Sequence, residues 1–219
     1  MRILAFTDFH SNLEAFQRAR QTIANDKPDI VVVAGDIADH DEQKAKLCLN
    51  DLAEAGSAVY FVAGNMDSVG LLSWLGSGNV HGLHGRSEYC DTYCLLGLGG
   101  SPHGAFSTPI EYDEEAAATT LEEALENYHG GNIILVTHCP PKDTKLDRVV
   151  IGQHIGSLSV RKFIENKQPI LVVSGHVHEA RGVDKIGSTV LVNPGPTRSG
   201  NYASVDIEKD IIVNFGKFK

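Results

Sequence analysis

Short apolar runs recur along the chain, and longer amphipathic stretches separate the first three of them. Each run has four to six residues, which is too short for a buried helix and favours strands of a sheet that is covered on both faces. The runs cover residues 3–6, 29–34, 58–63, 132–137 and 169–174. The hydrophobic pattern therefore predicts an α/β protein with several buried strands.

The stretches between the first three runs have apolar residues at helical spacing. Asn12 is placed to cap a helix that ends near Asn25, and either Asp39 or Asp41 can begin a second helix that ends at Gly56. Two consecutive strand–helix–strand units predict parallel strands joined by right-handed crossovers.

The middle of the chain changes character, because glycine becomes frequent between residues 76 and 104. Residues 88–90 and 93–98 are predicted to pair as antiparallel strands of a second sheet, and residues 99–104 to form an irregular loop. Thr108 or Asp113 can cap a helix that runs from about Glu114 to Tyr128.

The last third contains a long polar segment, a short helix and a set of hairpins. The segment 139–156 is too long for a simple connection and is expected to form a lid or wall over a site. In the helix 157–166 we expect Leu158, Phe163 and Ile164 to point inward. Hairpin strands are expected at 182–185, 188–192, 202–207 and 211–215. No linker interrupts the pattern, which predicts a single domain over residues 1–219.

Charge narrows the range of partners. The chain has 28 acidic and 19 basic residues and a formal net charge of −9. This argues against broad electrostatic binding of duplex nucleic acid or of an anionic membrane. A small phosphate ester is still an acceptable substrate, because bound dications can reverse the local sign of the charge. The oligomeric state leaves no trace in the sequence.

The cysteines indicate the redox environment. None of the four cysteines forms a Cys-x-x-Cys motif, and they are too few for a disulfide framework. We also find no signal peptide and no apolar stretch of membrane-spanning length. The expectation is a cytoplasmic protein with free thiols.

Each of the five apolar runs is followed by a residue that can bind a metal ion. In open α/β sheets, ligands collect outside the carboxyl ends of the strands. Asp8 and His10 flank Phe9, and we expect an extended backbone to point both side chains the same way. The residues that follow the other four runs are Asp36, Asn65, His138, His176 and His178.

These motifs, in this order, resemble the calcineurin-like metallophosphoesterase superfamily. They are Asp8-x-His10, Gly35-Asp36, Gly64-Asn65, His138 and Gly175-His176-x-His178. The hairpins that follow, with the turn Asn193-Pro194-Gly195, further resemble its small prokaryotic phosphodiesterase branch. The resemblance implies an α/β fold of the four-layer α/β/β/α type, a sandwich of two mixed sheets flanked by helices.

The resemblance also implies a dinuclear metal centre. Asp8, His10 and His178 would hold one metal, Asn65, His138 and His176 the other, and Asp36 would bridge them. Carboxylate and imidazole ligands suit divalent transition metals such as Mn, Fe, Zn or Ni. Such a pair would lower the pKa of a bridging water and make it the hydroxide nucleophile that hydrolyses a phosphate ester.

One position departs from the family pattern. In much of the family a histidine follows the asparagine and assists the leaving group, whereas here Met66 follows Asn65 and has no proton to donate. We therefore predict a metal-dependent phosphodiesterase that hydrolyses diesters, or esters with acidic leaving groups, better than alkyl monoesters. The role of Asp67 stays open.

Two loop histidines are further candidates at the substrate. His103 and His154 are predicted, with Asn65, to contact the phosphate ester, and either histidine could supply the missing acid. The alternative for both is an ordinary solvated loop histidine.

Two functions other than catalysis are compatible with the motifs. One is a non-catalytic or weakly catalytic metal- or phosphate-binding module on the same fold, although such modules usually lack ligands that this chain retains. The other is a scaffold whose metals only stabilise the fold. Metal-dependent turnover separates the enzyme from both alternatives.

Overall fold

The structure is a computed structural model that describes residues 1–218. Five α-helices, two short 3-10 helices (His178–Ala180 and Thr197–Ser199) and fourteen strands are described in this range. The helices are α1 (Leu13–Asp26), α2 (Glu42–Ala53), α3 (Gly70–Ser73), α4 (Glu114–Glu123) and α5 (Leu158–Lys167). The strands are β1 (Arg2–Phe6), β2 (Ile30–Ala34), β3 (Ala58–Val62), β4 (Val80–Gly82), β5 (Ser87–Cys90), β6 (Tyr93–Leu98), β7 (Ser101–Pro102), β8 (Glu111–Tyr112), β9 (Asn132–Thr137), β10 (Leu171–Val173), β11 (Gly182–Ile186), β12 (Thr189–Asn193), β13 (Asn201–Ile207) and β14 (Ile211–Lys217).

Two six-stranded sheets form the centre of the fold. The first has the order β14-β13-β1-β2-β3-β4, and the second β11-β12-β10-β9-β6-β5. Strands β1 to β4 pair in parallel, as do β12, β10, β9 and β6, while the hairpin strands at the edges are antiparallel. Both sheets are therefore mixed, as the resemblance implied.

Side chains along the central strands point alternately to the two faces of each sheet, and they build a hydrophobic core on each face. In β1, Leu4 and Phe6 pack toward α1 and α2, whereas Ile3 and Ala5 face the second sheet. In β9, Leu135 packs with the apolar residues of α4 and α5. These three cores separate four layers, so the predicted α/β/β/α sandwich is confirmed.

The helix ends follow ordinary capping chemistry. The side chains of Asn12, Asp41, Asp113 and Ser157 each accept a backbone N–H from the first turn of their helix. Asp41, rather than Asp39, begins α2, and Asp113, rather than Thr108, begins α4. Asp39 is therefore available for another contact.

Some sequence predictions were wrong in detail. Helix α4 ends at Glu123, because the next amides bond to carbonyls only three residues back and tighten the chain into turns. Leu158 is 40% exposed, since it is the first helical residue of α5 and Val160 takes the inward position. The loop 99–104 contains a short strand that pairs with β8, and the sequence pattern did not reveal β4.

No helix in the described part of the chain is long and apolar enough to cross a membrane.

Candidate metal centre

The loops that follow the parallel strands of both sheets meet at one edge of the sandwich. The amides of Asp8 and His10 donate to the carbonyls of Gly35 and Asp36, which joins the loops after β1 and β2. The amide of Gly175 donates to the carbonyl of His138 in the second sheet. All seven predicted metal ligands follow the carboxyl ends of β1, β2, β3, β9 and β10 at this edge.

The backbone at this edge is not extended, contrary to the expectation for Asp8 and His10. Asp8, His10, Asp36 and His176 have φ values of 54°, 47°, 51° and 66°, in the left-handed region. Such values are uncommon for residues with a side chain and concentrate at functional sites. The chain turns sharply at each strand end, and this turn directs the ligand side chains inward.

Asp8, His10 and His178 form a first group of potential ligands. Oδ1 of the buried Asp8 lies 3.3 Å from Nε2 of His178 and 3.9 Å from Nε2 of His10. The two imidazole Nε2 atoms lie 3.3 Å apart. These three ligand atoms fall within 4.8 Å of one another, as a shared cation requires.

Asn65, His138 and His176 form a second group. Oδ1 of Asn65 lies 2.9 Å from Nε2 of His138 and 3.0 Å from Nδ1 of His176. His138 and Asn65 are buried, and His176 is half-buried. The amide oxygen of Asn65 therefore lies within 3.0 Å of a ring nitrogen of each histidine.

Asp36 lies between the two groups. Its Oδ2 is 3.5 Å from Nε2 of His10 and 3.5 Å from Nε2 of His138. Its Oδ1 accepts the backbone N–H of Met66 at 2.8 Å, which fixes the carboxylate plane. A carboxylate in this position can contact a cation in either group.

Hydrogen bonds to the far side of two rings fix which nitrogen is free. Nδ1 of His10 lies 2.8 Å from Oδ1 of Asp39, and Nδ1 of His138 lies 2.8 Å from the carbonyl oxygen of Ala34. Both partners are acceptors, so Nδ1 carries a proton and Nε2 is the nitrogen directed at the centre, where its lone pair becomes available to a metal in the neutral ring.

Glycines allow the loops to approach closely. At Gly35, where φ is +89°, an added Cβ would lie 2.5 Å from Nδ1 of His138. An added Cβ would also overlap Asp36 at Gly64 and Thr7 at Gly175. The glycines that precede the ligand residues in the sequence are thus required by the packing.

The structure answers the open question about Asp67. This buried carboxylate accepts the amides of Ile37 and Ala38 at 2.8 Å and of Gly64 at 2.7 Å. It therefore joins the loop that carries Asp36 to the loop that carries Asn65. Burial, reinforced by the nearby Asp36, raises the pKa of Asp67 to about 7.

The central groups have strongly shifted pKa values in the absence of a metal. Burial alone would raise the pKa of Asp36, but the charges of His138 and His10 outweigh it and hold that pKa well below its usual value. Burial opposes the charged form of His138, yet Asp36 raises its pKa to about 9. Burial lowers the pKa of His176 to about 4.

The donor set fits divalent metals. Oδ1 of Asp8 is buried and accepts no hydrogen bond from the described residues, although two imidazole nitrogens face it. Nε2 of His138 faces two oxygens, and only a shared proton or a cation removes the repulsion between such acceptors. Carboxylate, amide and imidazole donors together suit transition metals.

A cavity of about 580 Å³ opens beside the second group. Asn65 and His176 line one end of it, and His103 and His154 also line it. Residues 153–156 belong to the long segment 139–156, which therefore forms a wall of the cavity. His103 is exposed and pairs with Glu111 at 3.0 Å, whereas His154 is half-buried.

Sequence reasoning missed several residues that support the centre. Asp39 orients His10, and Nη2 of Arg198 lies 3.2 Å from Nδ1 of His178. The buried Thr197 accepts the amide of Thr7, and the buried Asn193 donates to the carbonyl of Val177. Only Asn193 had a signal, because it begins the Asn-Pro-Gly turn.

Comparison with solved structures supports the fold. The protein TT1561 of Thermus thermophilus superposes with a TM-score of 0.77 at 19% identity, and the match covers 100% of this chain and 99% of TT1561. A structure described as a novel archaeal phosphodiesterase has a TM-score of 0.56 at 14% identity, and the match covers 98% of this chain and 99% of that protein.

Sequence comparisons identify the family. An uncharacterized protein of Methanocaldococcus jannaschii is 34% identical over an alignment of 219 positions that covers 97% of this chain and 95% of the relative. The family model for calcineurin-like phosphoesterases matches residues 1–180, the part that contains every residue of both ligand groups. The chain therefore belongs to the calcineurin-like phosphoesterase family, a family of metal-dependent phosphoesterases.

Proposed function

We propose that this protein is a dinuclear metal-dependent phosphodiesterase. The observation that carries the proposal is the position of Asp36, whose Oδ2 lies 3.5 Å from one histidine of each ligand group. A carboxylate between two such groups is suited to bridge cations that are ~3.5–4 Å apart.

The chain's own residues would hold the metals in two sets. Asp8, His10 and His178 form the first set, Asn65, His138 and His176 form the second, and Asp36 is common to both. When bound, the two dications supply Lewis acidity and a water that is deprotonated near neutral pH. Manganese is one metal that this ligand set accommodates, along with iron, zinc and nickel.

The protein residues orient the ligand side chains and shape the space beside them. Asp39 and the carbonyl of Ala34 hold His10 and His138 with their ligand nitrogens directed inward. The cavity beside Asn65 offers room for the organic part of a small ester. The net charge of −9 disfavours duplex nucleic acid as the substrate.

Met66 supports a preference for diesters. Its backbone N–H binds Asp36, but its thioether cannot protonate a leaving group. The loss of general-acid assistance matters most when the leaving group is a basic alkoxide. We therefore propose that diesters and esters with acidic leaving groups are hydrolysed faster than alkyl monoesters.

The test is hydrolysis by metal-stripped protein reconstituted separately with Mn²⁺, Fe²⁺, Zn²⁺, Ni²⁺ and Mg²⁺. Bis-p-nitrophenyl phosphate and p-nitrophenyl phosphate are the substrates, and Asp36→Asn is the control. We expect diester turnover that requires metal and is lost in the control variant.

Two results would contradict the proposal. A higher kcat/KM for the monoester would retain the phosphoesterase and remove the preference for diesters. Binding of two metals without turnover of either ester would favour a metal- or phosphate-binding module.

A further inference from the structure

His154 is held in the substrate cavity by an unusual partner. Nδ1 of His154 lies 2.7 Å from Oδ1 of Asp147, a carboxylate that is fully buried. Asp147 also accepts the amides of Asp143, Thr144 and Gly156 at 3.1, 2.8 and 3.0 Å. Because these donors engage both carboxylate oxygens, Asp147 is held in place as an acceptor for the ring.

This contact determines which nitrogen of His154 faces the cavity. Nδ1 points to Asp147 and carries a proton, so Nε2 is the nitrogen left to meet a bound molecule. His154 lines the same cavity as Asn65 and His176, which belong to the second ligand group. An ester whose phosphate lies at that group would extend its leaving group along this cavity.

The second histidine of the cavity is held less firmly. His103 is exposed, and the carboxylate of its partner Glu111 is bonded by His103 and by the amide and hydroxyl of Thr108. The Asp147–His154 pair instead has a fully buried carboxylate behind the ring, anchored by three backbone amides. An anchored carboxylate of this kind orients an imidazole for proton transfer.

We propose that His154 is the proton donor to the leaving group, in place of the histidine that Met66 replaces, and that Asp147 is its positioning residue. The inference rests on the proposed phosphodiesterase function. As the oxygen of a hydroxide, formed from a water that has already lost a proton to solvent, bonds to phosphorus, the bond from phosphorus to the leaving oxygen breaks. The leaving oxygen keeps that electron pair and takes the proton from Nε2, so that His154 ends as a neutral ring protonated at Nδ1.

The test compares leaving groups of different basicity in one variant. His154→Asn is suitable because the asparagine amide can still donate to Asp147, while the distal nitrogen is removed. The substrates are methyl 4-nitrophenyl phosphate and methyl phenyl phosphate, assayed with metal-reconstituted full-length protein. Phenoxide is much more basic than 4-nitrophenoxide and therefore needs the proton more.

We expect kcat/KM for the phenyl ester to fall by ~10²–10⁴-fold and for the 4-nitrophenyl ester by less than about tenfold. An equal loss of activity on both substrates, including complete loss, would mean that His154 only supports the wall of the cavity, and it would overturn the proposal. The ratio of the two rates is informative even if the variant is partly unfolded, because unfolding lowers both rates equally.

His103→Asn is the matched control in the same cavity, since it also keeps a donor for its carboxylate partner. His103→Asn can lower both rates, but we expect the ratio of the 4-nitrophenyl rate to the phenyl rate to stay constant. A change of this ratio in His103→Asn and not in His154→Asn would identify His103 as the donor instead. If the wild-type protein hydrolyses neither ester, the proposed function itself fails. If the wild-type protein is active but His154→Asn leaves the ratio unchanged, only the role of His154 fails.

Discussion

Nε2 of His138 lies 2.9 Å from Oδ1 of Asn65, although 73 residues separate the two in the chain. The Nδ1 proton of His138 meets the carbonyl of Ala34, so the neutral form of the ring would direct a lone pair at the amide oxygen. Because the pKa of His138 is raised to about 9, Nε2 carries a second proton at neutral pH when no metal is bound. Two acceptors at this distance repel each other unless a proton or a cation lies between them. The fold therefore builds a position for a positive charge before any metal arrives.

Replacing Met66 by histidine in the His154→Asn background, which lacks the proposed proton donor, should restore assistance to poor leaving groups. The backbone contact from residue 66 to Asp36 does not involve the side chain, so the centre should stay intact. We expect hydrolysis of an alkyl phosphomonoester to rise by ~10²-fold or more, as judged by kcat/KM. Met66→Gln is the control, since it has similar size but no acidic proton. Equal rates in the two variants would remove the argument from Met66.

Removing the partner of His10 should weaken metal binding. Asp39 lies 2.8 Å from Nδ1 of His10 and fixes the ring. We expect Asp39→Ala to lower the affinity of one metal by ~10–100-fold in calorimetric titrations of stripped protein. Asp39→Asn keeps an acceptor oxygen and should lose less. Unchanged affinity in the alanine variant would show that the ring is oriented by other contacts.

A cavity-lining glutamate also supports the fold. Glu114 in α4 accepts the amides of Leu158 and Ser159 and the hydroxyl of Ser157 at 2.8–2.9 Å, and thereby caps α5. Glu114→Gln directs an NH₂ group at these donors, so we expect the free energy of unfolding at pH 7 to fall by about 1–3 kcal/mol. The exposed Glu115 lies in the same helical turn. Glu115→Gln is therefore a control that should change the free energy of unfolding little.

The stability that Glu114 contributes is expected to decrease as the pH falls. Burial raises the pKa of Glu114, but the hydrogen bonds from Ser159, Leu158 and Ser157 outweigh it and hold the pKa below the ordinary 4.5. A lowered folded-state pKa contributes stability above the unfolded-state pKa, and this stability is lost as pH falls through the folded-state value. Denaturant titrations should show the wild-type advantage over Glu114→Gln at pH 6–8 and its decline below about pH 4.5. An advantage that grows in acid would contradict this assignment.

Alanine substitutions at two glycines with positive φ distinguish the cost of backbone strain from damage to the metal centre. Gly35 and Gly56 have φ of +89° and +113°, but only at Gly35 would a Cβ meet other atoms, namely Nδ1 of His138 at 2.5 Å and the backbone of Gly64 at 2.7 Å. Both alanine variants should lose about 1–2 kcal/mol from strained backbone. We expect Gly35→Ala alone to lose metal binding as well, measured as metal content after dialysis. Normal metal content in Gly35→Ala would mean that the two loops can move apart.

The strands, most helix starts and the motif order could be predicted because they depend on local pattern. The left-handed backbone at Asp8 and His10 could not, since a strand-end Asp-x-His is equally compatible with extended chain until neighbouring loops fix it. The roles of Asp39 and Asp147 as partners of His10 and His154 were missed because these pairs are recognisable only in three dimensions. Leu158 was misplaced because periodicity near a helix start does not determine which residue faces the core.

The most direct test of the central claim is to titrate stripped protein with Mn²⁺ and measure bound metal and bis-p-nitrophenyl phosphate turnover on the same samples. Wild-type protein should bind two equivalents per chain, and turnover should appear as the second equivalent binds. Asp36→Asn should bind less metal and have no turnover. Full turnover with one equivalent, or wild-type turnover by Asp36→Asn, would contradict a carboxylate-bridged metal pair.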